Sequence, residues 1–212
     1  MENRFEILTE RKTILSYFLL YALINSLLLY YIHDIIITDP QYFTGGNMDS
    51  VKLYRKLWMI SYFISPFYKI IKLLIISALI YYAIRFIKKL NTQFWGIFYI
   101  VLLAQFILLI PDLLELIWFT FIKTNYTMSD VDYFSPLSLA SLANHEEISD
   151  FLFKLLNSIN LFNLASWFLL FLFIKKYLEV KLLDSIVVVL SFYGSSFLVL
   201  SFIKYYFLLK IL

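Results

Sequence analysis

No cysteine occurs among the 212 residues, so the chain has no disulfide framework, no thiolate metal site and no thiol nucleophile. Histidine occurs twice, at His33 and His145, and two such distant residues leave any metal centre to carboxylates. His145-Glu146-Glu147 lacks the second histidine that a helical zinc-protease motif places four residues on, where Ser149 stands. Charged residues make up only 16%, and the net charge of +3 is spread along the chain with no basic, aromatic-interleaved stripe. Nucleic acid is therefore not an expected partner. Internal repeats, low-complexity tracts and any soluble domain are also missing.

What fills the space is apolar. Hydrophobic residues reach 62% with a mean hydropathy of +0.80, against about 45–50% in soluble globular domains. The class is an all-α polytopic membrane protein, one membrane domain over residues 1–212. A spanning helix needs about 20 mostly apolar residues. Five runs qualify, at about 13–38, 66–87, 94–121, 159–178 and 185–207. The first is too long for a cleaved signal and lacks a small-residue cleavage site, so it is expected to stay as an anchor.

Asp39-Pro40 and Gly45-Gly46 punctuate the first connection. Residues 51–65 alternate Leu53, Leu57, Trp58 and Ile60 with Lys52, Arg55 and Lys56, which predicts a separate interfacial helix before Pro66 opens the second span. Pro111 should kink the third span, whose ends carry Phe94-Trp95 and Trp118. Ser135-Pro136 breaks the polar loop that follows. A second interfacial helix is predicted from an Asn144/Glu147 capping box and the apolar face Ile148, Phe151, Leu152, Leu155 and Ile159.

Basic residues flanking the spans give an orientation. Arg4, Arg11 and Lys12, then Arg85, Lys88 and Lys89, then Lys175, Lys176 and Lys181 fall on one side, which becomes the cytoplasm. The acidic 123–158 loop falls outside, as do, against the rule, Lys52, Arg55 and Lys56. The N-terminus is then cytoplasmic and the C-terminus outside.

The site candidates lie inside the spans. Lys69 and Lys72, and Asp112 and Glu115, each share one face of a helix, and ionisable groups there cost about 2.5–3.5 kcal/mol apiece on insertion scales. In an antiparallel hairpin, residues at equal depth have numbers of constant sum. Lys72 with Asp112 and Lys69 with Glu115 both give 184, so two intramembrane charged pairs are expected. The alternative use of Asp112 and Glu115 is an ion or proton pathway. Asn157, Asn160, Asn163 and Ser166 form a polar face on the fourth span, read as interhelical glue. Ser191, Gly194, Ser195 and Ser196 form a small-residue patch for close helix approach. His33-Asp34 is a relay only if it lies deep, and its place near a span end argues against that. Asn125-Tyr126-Thr127 fits the glycosylation pattern.

Several stretches resemble the bacterial branch of the Yip1-like family of five-span membrane proteins. They are the basic turn Arg85-Phe86-Ile87-Lys88-Lys89, Pro111-Asp112 within span three, Ser135-Pro136-Leu137-Ser138-Leu139, and Ser158-Ile159-Asn160-Leu161-Phe162 opening span four. The chain departs from the family at Asn160, where an acid is usual, and at the Lys89 turn, where glycines are. The resemblance implies a non-enzymatic protein of the bacterial cytoplasmic membrane. It would act through membrane lipids, other membrane proteins or copies of itself, without cofactor or metal. A transporter or channel subunit using Asp112 and Glu115 is the alternative function.

Overall fold

The computed structural model describes residues 11–37, 48–90, 92–143 and 147–194. Helix α1 (Arg11–Tyr31) widens into a π-helical turn, Ile32–Ile37. Helix α2 (Met48–Lys88) follows, then α3 (Phe94–Gln105), a 3-10 turn (Phe106–Leu109), α4 (Ile110–Ile117) and a second π turn (Trp118–Ile122). The short α5 (Met128–Asp132) and a 3-10 turn (Leu139–Leu142) precede α6 (Asp150–Ser158), α7 (Leu161–Leu178) and α8 (Leu182–Val188), which continues as a π turn to Gly194.

Among the described residues four helical stretches are long and apolar enough to cross a membrane: Lys12–Ile36, Ile64–Phe86, Phe94–Ile122 and Leu161–Leu178. The chain is an all-α, multi-pass membrane protein by this composition. The expected fifth span begins in α8, whose apolar stretch Leu182–Ser191 is shorter, and most of its length lies outside the described residues.

Each span sorts its faces. On α1 and the first residue of its π turn, Ile14, Tyr21, Asn25, Leu28 and Ile32 are buried while Leu15, Leu19, Leu23 and Leu27 are exposed, a helical stripe against the core and another left for lipid. Helix α3 is buried over the whole run Gly96–Leu102, because it packs on α1, α2 and α7 and so occupies the middle of the bundle. The Gly96 contact is tight. A Cβ added there meets the Tyr177 hydroxyl, and the ring carbon behind it at 2.5 Å. Gly96→Ala should therefore force α3 and α7 apart, at about 1–3 kcal/mol, read as a lower melting temperature in detergent. An unchanged melting temperature would mean that Tyr177 swings aside freely.

Two of the expected boundaries are corrected. Residues 51–65 are not a separate helix, since α2 runs unbroken from Met48 with Pro66 inside it. A proline removes one bond of the ladder, here to the carbonyl of Tyr62, and a long helix with packed neighbours sustains that loss. The cap of α6 is Ser149, whose Oγ accepts from the Leu152 amide at 3.3 Å; Glu147 lies in the preceding turn, and Asn144 outside the described residues. A serine directly at the helix start outcompetes a capping box placed five residues upstream. The Pro111 break takes the form of the tightened Phe106–Leu109 turn just before the proline.

The loop after span three is built, not slack. Tyr126 is buried and donates its hydroxyl to the Ile35 and Ile36 carbonyls at 3.3 and 3.1 Å, closing the end of α1. Phe119 and Phe134 pack edge-on beside it. Thr127 caps α5 in a reciprocal box with Asp130, whose carboxylate also takes the Lys123 ammonium at 2.6 Å. Those donors, Lys123 first, hold the Asp130 carboxyl below its ordinary range. A lowered carboxyl lends stability above the ordinary carboxylate range and loses it as pH falls through the lowered value. Hydrogen exchange at the α5 amides should accordingly stay slow near neutrality and speed up only under strong acid. Speeding up well above the carboxylate range would remove Asp130 as the clasp.

Candidate functional site

The charged residues of the hairpin sit where the helix faces predict. On α2 the core-facing residues Leu73, Ile76, Ile80 and Ala83 recur at helical spacing, and Lys69 continues that stripe outward, half-buried. On α4, Asp112 and Glu115 are half-buried while Leu113 and Ile117 are exposed. Both acids thus face inward from the lipid side of their helix. Lys72 is half-buried in the next turn.

The charge acting on Asp112 is that of Lys69, and Glu115 is acted on by Asp112 and by Asp132 of α5. The hairpin geometry brings Lys69 and Asp112 to nearly the same level. Its helix ends, Lys88 and Phe94, set level residues at a sum of 182 rather than 184. The four residues of the 3-10 turn each rise about 2.0 Å instead of 1.5 Å, which removes roughly one more. Lys69 and Asp112 add to 181. Tyr21 of α1, buried against Phe106 edge-on at 5.3 Å, also lies within reach of the Asp112 charge. The site is therefore Tyr21, Lys69, Asp112 and Glu115, with Asp132 on its extramembrane side.

A second polar layer lies deeper. Gln105 is buried at the end of α3 and its Nε2 donates to Ser166 Oγ of α7 at 3.3 Å and to the Tyr193 hydroxyl at 3.4 Å. Three chain segments meet there. A lone amide has no periodic signal to expose it, although its place in the most apolar span is one. Asn25 does the same on a smaller scale, giving its Nδ2 to Ser65 Oγ at 3.2 Å and tying α1 to α2 beside Pro66.

The polar face of span four divides by role. Asn160 caps α7, its side chain accepting from the Asn163 amide at 2.8 Å and donating to the Asn157 carbonyl at 3.1 Å. Asn163 donates to the Ser158 carbonyl at 2.8 Å, and only Ser166, one turn deeper, reaches another span. Asn157, Asn160 and Asn163 therefore shape the helix entry. Gly194 is buried next to Trp167, where an added Cβ would lie at an ordinary 3.9 Å; Ser191 is exposed, and Ser195 and Ser196 lie outside the described residues. His145 and Glu146 lie outside them too, and His33-Asp34 falls in the π turn that ends α1. Of the glycosylation-like triplet, Asn125 is exposed while Tyr126 and Thr127 serve the structure as described above. Among the described residues no three acids or histidines gather as a metal site. A surface hollow of about 490 Å³ lined by Leu172, Lys175, Lys176, Glu179 and Val180 lies at the other end of α7 from Asn160.

No protein-family model, curated protein or solved structure matches this chain.

Proposed function

We propose that this chain is a five-span, non-enzymatic protein of the bacterial cytoplasmic membrane, N-terminus inside. It works through contacts with lipids, other membrane proteins or copies of itself, as the Yip1-like resemblance implies. The supporting observation is how the spans use their polar groups: Gln105, Ser166 and Tyr193 are joined to one another, as are Asn25 and Ser65, while the outward faces are apolar. Chemistry turned inward as glue leaves the surface as the working part. Two of the four segments that carry the resemblance, 135–139 and 158–162, are hydrogen-bonded to each other.

One observation favours the second reading, a transporter or channel subunit. Glu115 stands near Asp112 and Asp132, two like charges, and such a group of acids leading out of a span suits a proton or cation route. Reconstituted vesicles loaded with a pH-sensitive dye separate the two readings. The contact protein leaves an imposed proton gradient intact. A leak that Asp112→Asn abolishes would overturn it in favour of the route. Topology has its own check: a reporter active only in the cytoplasm should work when fused after Lys89 and after Lys176. Silence at either position would overturn the five-span arrangement.

A further inference from the structure

Residues 135–142 divide sharply in burial. Ser135, Ser138 and Ala140 are buried, whereas Leu137, Leu139 and Leu142 are 57%, 44% and 84% exposed. An isolated antiparallel bridge joins Ser138 to Asn160. Its two bonds run from the Leu139 amide to the Ile159 carbonyl at 3.0 Å and from the Leu161 amide to the Leu137 carbonyl at 2.9 Å. At the bridge Ser138 is buried and Asn160 half-buried, while the neighbouring Leu137, Leu139 and Leu161 are exposed. Local bonds stiffen the hook, with Ser138 Oγ donating to the Ser135 carbonyl at 3.1 Å and Ser141 Oγ to the Ser138 carbonyl at 2.7 Å. Leu137 adopts φ 55°, where glycine would sit without strain, and holds an exposed leucine there instead.

We propose that this hook is a lipid-binding element, seated with Leu137, Leu139 and Leu142 in the acyl boundary of the leaflet where span four begins. The occupant follows from continuity. Leu161 is the first residue of α7 and opens its exposed apolar stripe of Leu161, Leu164, Phe168 and Leu172. Main-chain bonds fix the hook to that first turn, so its leucines extend the stripe sideways at the same depth. An exposed cluster of this kind beside a span entry is the chemistry of an interfacial anchor. The inference rests on residues 161–178 crossing the membrane.

A chain without cysteine makes the test direct. Single cysteines at positions 139, 142, 147 and 168 of the full chain are labelled with an environment-sensitive fluorophore and reconstituted into vesicles of phosphatidylcholine and phosphatidylglycerol. Probes at 139 and 142 should emit blue-shifted, lose intensity to nitroxide placed high on the lipid acyl chain, and resist aqueous iodide. The probe at 147 should behave the opposite way. Quenching of 139 and 142 by iodide overturns the proposal, and so does shielding from both quenchers, which would mean a protein partner or a second copy. Position 168 keeps the two layers apart: if it too escapes lipid quenching, the spanning reading of 161–178 has failed, and if it alone is quenched, only the hook has. Adding Leu142→Glu should red-shift the probe at 139 and leave the probe at 168 unchanged.

Discussion

Lys69→Met lowers the stability of the detergent-purified protein by about 3 kcal/mol, and the reversed pair Lys69→Asp with Asp112→Lys recovers part of that loss. Removing one member of a sealed pair costs about 3–5 kcal/mol, because the other is left as an uncompensated charge. Lys69 and Asp112 are half-buried, which places this pair at the lower end. Register decides which lysine matters. Level residues in this hairpin meet at a sum near 181, so exchange with Lys69 rescues and the corresponding exchange of Lys72 with Asp112 does not. Thermal melts of the single and double variants measure the coupling directly. Rescue through Lys72 and not Lys69 would mean that the tightened turn before Pro111 does not shift the helices as described.

Gln105→Ala is expected to cost about 2–5 kcal/mol, and Gln105→Leu markedly less. Two effects compete at this residue. Its bonds to Ser166 and Tyr193 are long, at 3.3 and 3.4 Å, and interhelical bonds of this kind contribute about 0.6 kcal/mol each, 1.7 at most. Its side chain is also fully enclosed, and deleting a comparable volume from a core costs several times that. The cavity wins, so leucine, which refills the volume, restores most of the stability without restoring a bond. Melting temperatures of the two variants decide the matter. If leucine proves as harmful as alanine, the hydrogen bonds dominate and the polar layer, not the packing, holds α3, α7 and the segment of Tyr193 together.

The features legible in the sequence are those with a period. The four long apolar stretches, the inward faces of Lys69, Asp112 and Glu115, and the amphipathic α6 each repeat at helical spacing, which a sequence displays directly. What was not legible is non-periodic or non-local. Pro66 at a first helical turn is a tendency of short helices, and nothing nearby announces that α2 continues through it. The four-residue 3-10 turn leaves no mark in the apolar pattern, yet its longer rise brings Asp112 closer to the level of Lys69. Gln105 is one amide in an apolar run, and its two partners lie 61 and 88 residues away. The Ser138 to Asn160 bridge joins two segments across an intervening helix, a pairing no window on the sequence contains.

Helix α2 is also a lever. Its 41 residues extend about 61 Å, whereas the hydrocarbon core of a bilayer is about 30 Å thick. The apolar stretch Ile64–Phe86 takes up that thickness, and the remaining turns from Met48 project beyond it as one rod. A tilt of about 10° around the middle of the apolar stretch sweeps the Met48 end through roughly 7 Å. Pro66, with one bond missing from the ladder, lies about 14 Å from that middle on the Met48 side, and Lys69 is within one turn of the proline. The same tilt carries Lys69, about 9 Å from that middle, through roughly 1.6 Å, so movement of the far end reaches the helix face that holds this lysine.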